Sequence, residues 1–469
     1  MNSIISRIII TIALLSLALV PSAPAQQPQP KQTPPEGGQP KAFSLPKKET
    51  FALPNGLQVT MVPYGSIPKV AIAAYVNAGE IDESAEQVWL AELVGDLMKE
   101  GTTLRSAEQV AQDVARMGGS LDINAGMDQT TVSTDVLSEF GPAAVKLIAE
   151  VLQKPLLPAS ELARLKKDYL RRLTVDRSRP GPLAYERFRH LLYPDHPYGR
   201  IYPTEQMIGG YTIEEAQKFY HDNFGAARTH LYVVGQFNPG QMRRAISQGF
   251  GGWASGSAPV EDIPKPVAQR TLSLIDRPGS AQSTIWLGLP VINSSSPDYI
   301  ALQVTDSLLG GSFASRITSN IREQKGYTYS PRSQVSTRYR DAYWVEIADV
   351  TTAVTGPSLK EIFYEIDRLR KEPPTEAELQ GIKNYLAGIF VIRNSSRQGI
   401  IGQLAFIDLH KLPETFLTNY VQNVFAVKAQ DVQRIAEDYL TPDKMTIVVV
   451  GDKSKIAQQL APFGEIANN

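Results

Sequence analysis

Two stretches of the sequence decide the fold, since each is a version of the other: FYHDNFGAARTHLYVVG at 219–235 and IAEDYLTPDKMTIVVVG at 435–451. Each runs thirteen positions from an Asp to a Gly, from Asp222 to Gly235 and from Asp438 to Gly451. Further upstream, LPASELARLKKDYL at 157–170 matches PPTEAELQGIKNYL at 373–386 at the same separation of about 216 residues. Two matches at one long period indicate a duplicated domain.

The duplication sets the domain boundaries. A first half is predicted at 49–250 and a second half at 270–465. The segment between them, 251–269 (GGWASGSAPVEDIPKPVAQ), is rich in Gly, Ser, Pro and Ala, which is typical of a linker.

Local patterns in the first half predict both strands and helices. Alternating or continuous apolar runs predict strands at 69–77, 120–125 and 130–137. Apolar residues at helical spacing predict a helix at 84–100, ended by Gly101. The fold class is therefore expected to be α+β, with two homologous halves that each pack helices on an antiparallel sheet.

The amino terminus has the pattern of an export signal. Arg7 supplies the positive charge, 8–20 is apolar apart from Thr11 and Ser16, and Ala23-Pro24-Ala25 is a cleavage site, so 1–25 is predicted to be removed. The alternative, a membrane anchor, needs ~20 apolar residues. A periplasmic location in a bacterium follows as the expectation. The next segment, 26–48, is rich in Pro and Gln and is predicted to be a disordered tether.

Composition excludes several classes of function. The chain of 469 residues carries 47 Lys and Arg against 48 Asp and Glu, and it has no Cys. A balanced charge gives no footprint for nucleic acid or an anionic membrane. The lack of Cys excludes disulfides, thiolate metal sites and a Cys nucleophile. Any chemistry must come from oxygen and nitrogen groups.

Six landmarks in order carry a family resemblance: the F-x-L-x-N-G-L opening at 51–57, Asn77-Ala78-Gly79, Gly101-Thr102, Asn124-Ala125, His196-Pro197-Tyr198-Gly199 and LGGSFASRITSNIREQKGYTYS at 309–330. With them the chain resembles the insulinase/pitrilysin family of zinc metallopeptidases, whose zinc helix has the inverted H-x-x-E-H motif. The resemblance covers about 51–451. It implies two halves that close like a clamshell around a peptide.

The metal site departs from the family pattern. Counting back from Gly101-Thr102 puts Glu92 and Asp96 at the two His positions and Gly95 at the position of the general-base Glu, while the third ligand falls at or near Arg172. Glycine cannot accept a proton and a guanidinium repels a dication, so the chain itself is expected to bind no zinc. We expect Arg172 to neutralise Glu92 and Asp96 instead. The alternative is a hard cation held by those two carboxylates.

The second half keeps another part of the family pattern. Family members carry an Arg and a Tyr seven residues apart that hold the substrate carbonyl and the oxyanion, and Arg322 and Tyr329 have this spacing. The alternative is a surface Arg and a core Tyr. Asn124-Ala125 resemble the substrate-binding edge strand, where a peptide can add to the sheet, or are a plain strand end. Gly310-Gly311 are interpreted as turn glycines.

The resemblance therefore implies a division of labour. The chain is interpreted as the non-catalytic subunit of a heteromeric peptidase, inactive alone, which supplies Arg322 and Tyr329 to a peptide in a zinc site carried by a homologous partner chain. Two alternatives remain: a structural or interaction protein with no role in proteolysis, and an autonomous metallopeptidase with unusual ligands. The sequence leaves the peptide specificity and the identity of the partner open.

Overall fold

The computed structural model describes residues 44, 46–259 and 261–467. The predicted signal peptide at 1–25 and nearly all of the predicted tether lie outside the described residues. No helix in the described part of the chain is long and apolar enough to cross a membrane.

Eleven strands form two sheets among the described residues. The first has six strands in the order β1-β2-β6-β3-β5-β4, and the second has five in the order β7-β11-β8-β10-β9. The strands are β1 (Glu49–Ala52), β2 (Gln58–Pro63), β3 (Lys69–Val76), β4 (Leu121–Ala125), β5 (Thr130–Leu137), β6 (Thr229–Gly235), β7 (Thr271–Asp276), β8 (Gln282–Val291), β9 (Arg332–Arg338), β10 (Asp341–Thr351) and β11 (Thr446–Gly451).

Helices follow and cover these strands. They are α1 (Leu90–Lys99), α2 (Ala107–Arg116), α3 (Gly141–Gln153), α4 (Ala159–Arg177), α5 (Pro180–Leu192), α6 (Glu205–Gly210), α7 (Ile213–Asn223), α8 (Pro239–Phe250), α9 (Tyr299–Asp306), α10 (Thr355–Lys371), α11 (Glu376–Arg393), α12 (Arg397–Leu409), α13 (Thr415–Thr418), α14 (Tyr420–Ala426), α15 (Ala429–Tyr439) and α16 (Lys453–Leu460). Two π-helical turns lie at Ser307–Gly311 and Thr318–Gln324.

The two sheets share one topology. In each sheet the neighbouring strands are antiparallel except for one parallel pair, β2 with β6 in the first half and β7 with β11 in the second. From β2 to β4 and from β7 to β9, equivalent strands follow in the same order. This correspondence confirms the predicted fold class of two homologous α+β halves. The described residues between α8 and β7 form no helix or strand.

Each half completes the core of the other. One face of each sheet is covered by helices of its own half. The opposite face of the first sheet packs against α11, α12 and α14, where Tyr232 and Val234 meet Ile401 and Leu404. The opposite face of the second sheet packs against α5. The helices α5 and α12 occupy equivalent places in the duplication, so the exchange is reciprocal.

Phe188 on α5 is the centre of the second of these contacts. Its side chain is fully buried, and its ring centroid lies 5.7 Å from that of Trp286 and 5.6 Å from that of Tyr343. A Cβ on Gly288 would lie 2.9 Å from the Cζ atom of Phe188, so only glycine leaves room for the ring on this strand. The halves are therefore joined by close packing as well as by the covalent chain.

Candidate functional site

The helix α1 begins later than the sequence pattern predicts. Its first residue is Leu90, and Trp89 before it has a left-handed conformation with a φ of 73°. The carboxylate of Glu83 accepts hydrogen bonds from the backbone N–H groups of Trp89 at 3.1 Å and Ala91 at 2.7 Å. A buried carboxylate thus caps the helix, and the prediction of helix over 84–89 was wrong.

Gly95 sits where α1 meets the edge strand β4. A Cβ at this position would lie 3.5 Å from the Cβ atom of Ala125, which is an ordinary contact distance. Among the strands of the described residues, β4 pairs with β5 alone, so its other edge has no strand from that part of the chain, and Asn124 on it is exposed. The structure therefore brings Gly95 next to Ala125 at the edge of the first sheet.

Arg172 on α4 fills the place opposite Glu92. The Nη2 atom of Arg172 forms an ion pair and hydrogen bond with the Oε2 atom of Glu92. The guanidinium carbon also lies 3.7 Å from the ring centroid of Trp89 and 4.9 Å from that of Tyr169. Burial raises the pKa of Glu92, while the positive charge of Arg172 opposes this shift. The predicted contact between Glu92 and Arg172 is present.

Asp96 has other partners. Its Oδ2 atom accepts a hydrogen bond from the hydroxyl of Tyr169 at 2.8 Å, and its Oδ1 atom accepts one from Lys99 at 2.8 Å. The prediction that Arg172 neutralises both acids was therefore wrong for Asp96. One turn of helix separates the two carboxylates, and Lys99, three residues after Asp96, reaches it more easily than Arg172 does.

These residues do not fit a zinc ion. Gly95 offers no base, the guanidinium of Arg172 lies against Glu92, and Asp96 already accepts two hydrogen bonds. Across the part of the chain that the structure describes, no three His, Cys, Asp or Glu side chains are grouped to hold a metal. The Glu92–Arg172 ion pair and the edge-to-face rings of Trp89 and Tyr169 occupy this position.

Purified chain is expected to contain no stoichiometric zinc, because Arg172 stands at the position predicted for the third ligand and the described residues offer no other ligand set. Elemental analysis of the mature protein after dialysis is the measurement. A chain with an intact H-x-x-E-H motif, prepared in parallel, serves as the positive control. One equivalent of zinc per chain would contradict the assignment of these positions.

Replacing Arg172 with Glu is expected to lower the free energy of unfolding by about 1–3 kcal/mol, because the new carboxylate would face Glu92 and the ring of Trp89 would lose its cation. Urea denaturation followed by tryptophan fluorescence measures the change. Arg171→Glu is the matched control: Arg171 is exposed and pairs only with Asp168, at 3.3 Å, so its effect should stay within about 0.5 kcal/mol. Equal midpoints for the two variants would rule out a structural role for the Arg172 contact.

Two acids beside this cluster, Glu80 and Glu83, were not predicted from the sequence to belong to the site. Burial, with a contribution from the nearby charge of Glu92, raises the pKa of Glu80 to about 7. Burial also raises the pKa of Glu83 well above its usual range. Glu80 lines a cavity of about 460 Å³ with Asp128, Tyr185 and Arg338, so it joins residues of both halves. The only signal in the sequence was three acids, Glu80, Asp82 and Glu83, within the four residues after Asn77-Ala78-Gly79.

Arg322 and Tyr329 face each other in the second half. The guanidinium carbon of Arg322 lies 4.9 Å from the ring centroid of Tyr329 and 4.5 Å from that of Phe313. Gly326, with a φ of 65°, turns the chain between them, and Thr328 is bridged to Val350 of β10. The side chain of Tyr329 is 80% exposed, so the alternative of a core tyrosine is wrong.

The two groups of site residues are separate clusters. Glu92, Gly95, Asp96 and Arg172 gather around α1, α4 and β4 of the first half, as described above. In the second half, Phe313 and Tyr329 both contact the guanidinium of Arg322. Among the described residues, the ion pairs and ring contacts of the second cluster include none with the first.

Gly310 and Gly311 are not turn glycines. They belong to the π-helical turn Ser307–Gly311, and a Cβ on Gly310 would lie 2.6 Å from both Glu346 Oε2 and Ser333 Oγ. A Cβ on Gly311 would lie 2.6 Å from Asp306 Oδ2. The interpretation that these glycines supply backbone freedom for a reverse turn was wrong. Close packing against buried side chains is what excludes a Cβ here.

Two family models match the chain in succession. The model for insulinase (peptidase family M16) matches residues 61–200, and the model for the peptidase M16 inactive domain matches residues 210–386. The chain belongs to the insulinase family. The inactive-domain match includes Arg322 and Tyr329, while the first match includes the degenerate metal positions.

Relatives of this insulinase-family chain come from several bacteria. YmxG of Bacillus subtilis, named an uncharacterized zinc protease, is 22% identical over 396 residues, which are 84% of this chain and 96% of YmxG. A Rickettsia felis protein with the same description is 25% identical over 346 residues, 72% of this chain and 82% of its own.

Solved structures resemble the insulinase-family chain over nearly its whole folded length. The peptidase M16 inactive domain from Pseudomonas fluorescens superimposes with a TM-score of 0.80 at 25% identity, covering 86% of this chain and 98% of that one. A protease from Helicobacter pylori gives a TM-score of 0.81 at 22% identity, covering 87% and 100%. The fold of two halves in a clamshell arrangement is shared with these proteins.

Proposed function

We propose that this insulinase-family chain is the zinc-free subunit of a heteromeric peptidase. In this proposal it binds a peptide and supplies Arg322 and Tyr329 to the substrate, and a homologous partner chain carries the zinc motif. The observation that supports it most is the contrast between the halves. An ion pair and a glycine replace the metal site, while the Arg–Tyr pair is in contact and open to solvent.

Arg322 and Tyr329 are suited to stabilising negative charge. Among the described residues, Arg322 makes one ion pair, from Nε to Glu323 Oε1 at 3.2 Å, which leaves its two Nη groups available. The hydroxyl of Tyr329 has no hydrogen-bond partner among those residues. Phe313 and Tyr329 flank the guanidinium and restrict its motion. Donors held in place in this way lower the energy of an oxyanion without reorganisation.

The edge strand β4 offers a main-chain binding surface for the peptide. Among the described strands, none pairs with its outward backbone groups. Gly95 and Ala125 beside this edge are small, so no large side chain at these two positions blocks the approach of a peptide. A peptide that adds to this edge gains main-chain hydrogen bonds with little dependence on its sequence. A periplasmic location, proposed from the export signal, would expose the subunit to unfolded or imported peptides.

Reconstitution tests the proposed function. The mature chain, a homologous chain bearing H-x-x-E-H, and their equimolar mixture are assayed for cleavage of a quenched fluorescent peptide, and assembly is followed by size-exclusion chromatography. We expect a stable complex whose rate exceeds the sum of the rates of the separate chains. A complex that assembles with no gain in rate would assign the chain to the structural alternative. Cleavage by this chain alone would support an autonomous enzyme.

A further inference from the structure

A pocket with a mainly apolar lining lies beside the Arg–Tyr pair. It has a volume of about 340 Å³, within the range of ~300–1,000 Å³ typical of small ligand pockets. One wall is the segment before the second π-helical turn, and the other is the first half of α11. The lining includes Leu308, Phe313, Ile382, Tyr385, Gly381 and Ala377.

Two polar side chains that line this pocket have buried atoms without partners. The Nη1 atom of Arg316 and the Oγ atom of Ser312 make no hydrogen bond within the described part of the chain, although each residue is only 8% exposed. Buried polar atoms are normally paired, and an unpaired one costs free energy. Both atoms are themselves closed off from solvent, so a ligand in the pocket reaches them when the side chains of Arg316 and Ser312 rotate toward it, and the bonds then formed recover that free energy.

The charge of Arg316 is already neutralised. Its Nε and Nη2 atoms donate to the two carboxylate oxygens of Glu378 at 3.0 and 3.2 Å. Hydrogen bonds from Arg316 and from Thr375 hold the pKa of Glu378 down at about 2, against the effect of its burial. The remaining donor at Nη1 therefore suits a neutral acceptor such as a hydroxyl, since a second carboxylate would stand close to Glu378.

Gly381 is the reason that the pocket is open. In the duplicated segment of the first half, the equivalent position holds Leu165, which is buried in the core. A Cβ on Gly381 would meet no atom within 4 Å. The second half thus has no side chain where the first has a leucine, and Gly381 and Phe313 line the same pocket.

We propose that this pocket binds an aromatic side chain of the peptide, tyrosine in particular, and so determines specificity. The ring would lie among Leu308, Phe313 and Ile382, with its hydroxyl bonded to Arg316 and Ser312. Phe313 belongs both to the pocket and to the surroundings of Arg322, so a bound side chain would lie next to the Arg–Tyr pair. This inference rests on the proposed function, since it assumes that peptide binds at Arg322.

Filling the pocket by Gly381→Leu is the test. Leucine favours a helix more than glycine does, and the site has free space, so folding should be unaffected. Gly388→Leu is the matched control, because Gly388 is also exposed, lies on the same helix and has no atom within 4 Å of an added Cβ, but does not line the pocket. Circular dichroism of both variants checks the fold.

The probes are fluorescein-labelled peptides of Ser and Gly with one central Tyr, Phe or Ala, titrated with the mature chain and followed by anisotropy. Wild type should bind the Tyr peptide at least about tenfold more tightly than the Ala peptide. Gly381→Leu should remove this preference and Gly388→Leu should retain it. Arg316→Lys keeps the charge but replaces the planar guanidinium, which can pair with Glu378 and still donate from Nη1, so it should bring the Tyr peptide down to the level of the Phe peptide.

The outcomes separate this inference from the proposed function. If wild type binds all three peptides equally and Tyr329→Ala weakens them all, peptide binding stands and the specificity pocket is wrong. An undiminished Tyr preference in Gly381→Leu would equally refute the pocket. If no peptide binds wild type, the proposed peptide-binding role fails, and the pocket assignment fails with it.

Discussion

Replacing Tyr329 with Phe in the reconstituted complex is expected to lower kcat about 100-fold or more, with a much smaller change in substrate affinity. The substitution removes only the hydroxyl, and the ring that packs against Arg322 remains. If that hydroxyl donates to the oxyanion, its contribution arises mainly in the transition state. Arg322→Ala should have an effect of at least similar size. Single-turnover cleavage of a quenched peptide separates the chemical step from binding.

Tyr364→Phe is the control for this experiment, since Tyr364 is an exposed tyrosine of the same half, on α10, and among the described residues its ring makes no contact with the guanidinium of Arg322. Its complex should cleave at the rate of the wild type. All variants should still assemble with the zinc-bearing chain, which chromatography checks. If complexes with Tyr329→Phe and Arg322→Ala both keep the wild-type rate, the catalytic contribution of this chain must be withdrawn.

Replacing Phe188 with Ala should lower the free energy of unfolding by about 3–5 kcal/mol, because a fully buried ring between two sheet residues is lost and a cavity is left. This is a large fraction of the ~5–15 kcal/mol that stabilises a typical domain. Because Phe188 belongs to the first half and packs on the sheet of the second, the loss should destabilise the contact between the halves. Urea denaturation measures the free energy, and limited proteolysis detects separation of the halves.

Two control variants show whether the loss of stability in Phe188→Ala comes from the contact between the halves. Val175→Ala, at a half-exposed site on α4, should change the free energy by less than about 0.5 kcal/mol. Phe250→Ala removes an equally buried ring from the core of the first half alone. It should cost as much stability, yet leave the transition cooperative. A cost below about 1 kcal/mol for Phe188→Ala would show that the halves do not depend on this packing.

The duplication could be predicted from the sequence because the repeated segments have the same strand and helix patterns. The strand at 130–137 and the end of α1 at Gly101 were predicted correctly, since alternation and a left-handed glycine are local signals. The order of strands within each sheet, and the exchange of α5 and α12, were not predicted. They depend on contacts between residues far apart in the chain, which no local pattern encodes.

The site was predictable in part for the same reason. The spacing of Arg322 and Tyr329 fits their observed contact, because seven residues with Gly326 between them return the chain on itself. The partner of Asp96 was mistaken, since the sequence does not show which of two nearby cations reaches a carboxylate. The sequence did not reveal Glu80, Glu83 or the pocket at Arg316. Nothing in the sequence marks these residues, because the raised pKa of the acids and the unpaired atom of the arginine arise from burial in the fold.

The reciprocal placement of α5 and α12 has a consequence for how the chain matures. During synthesis the first sheet can form early, but its face with Tyr232 and Val234 stays uncovered until the segment around Ile401 has been made. Neither half is complete before nearly the whole polypeptide is available. The nascent protein therefore exposes an apolar surface until most of the chain has been made, so we expect chaperones to bind it during synthesis.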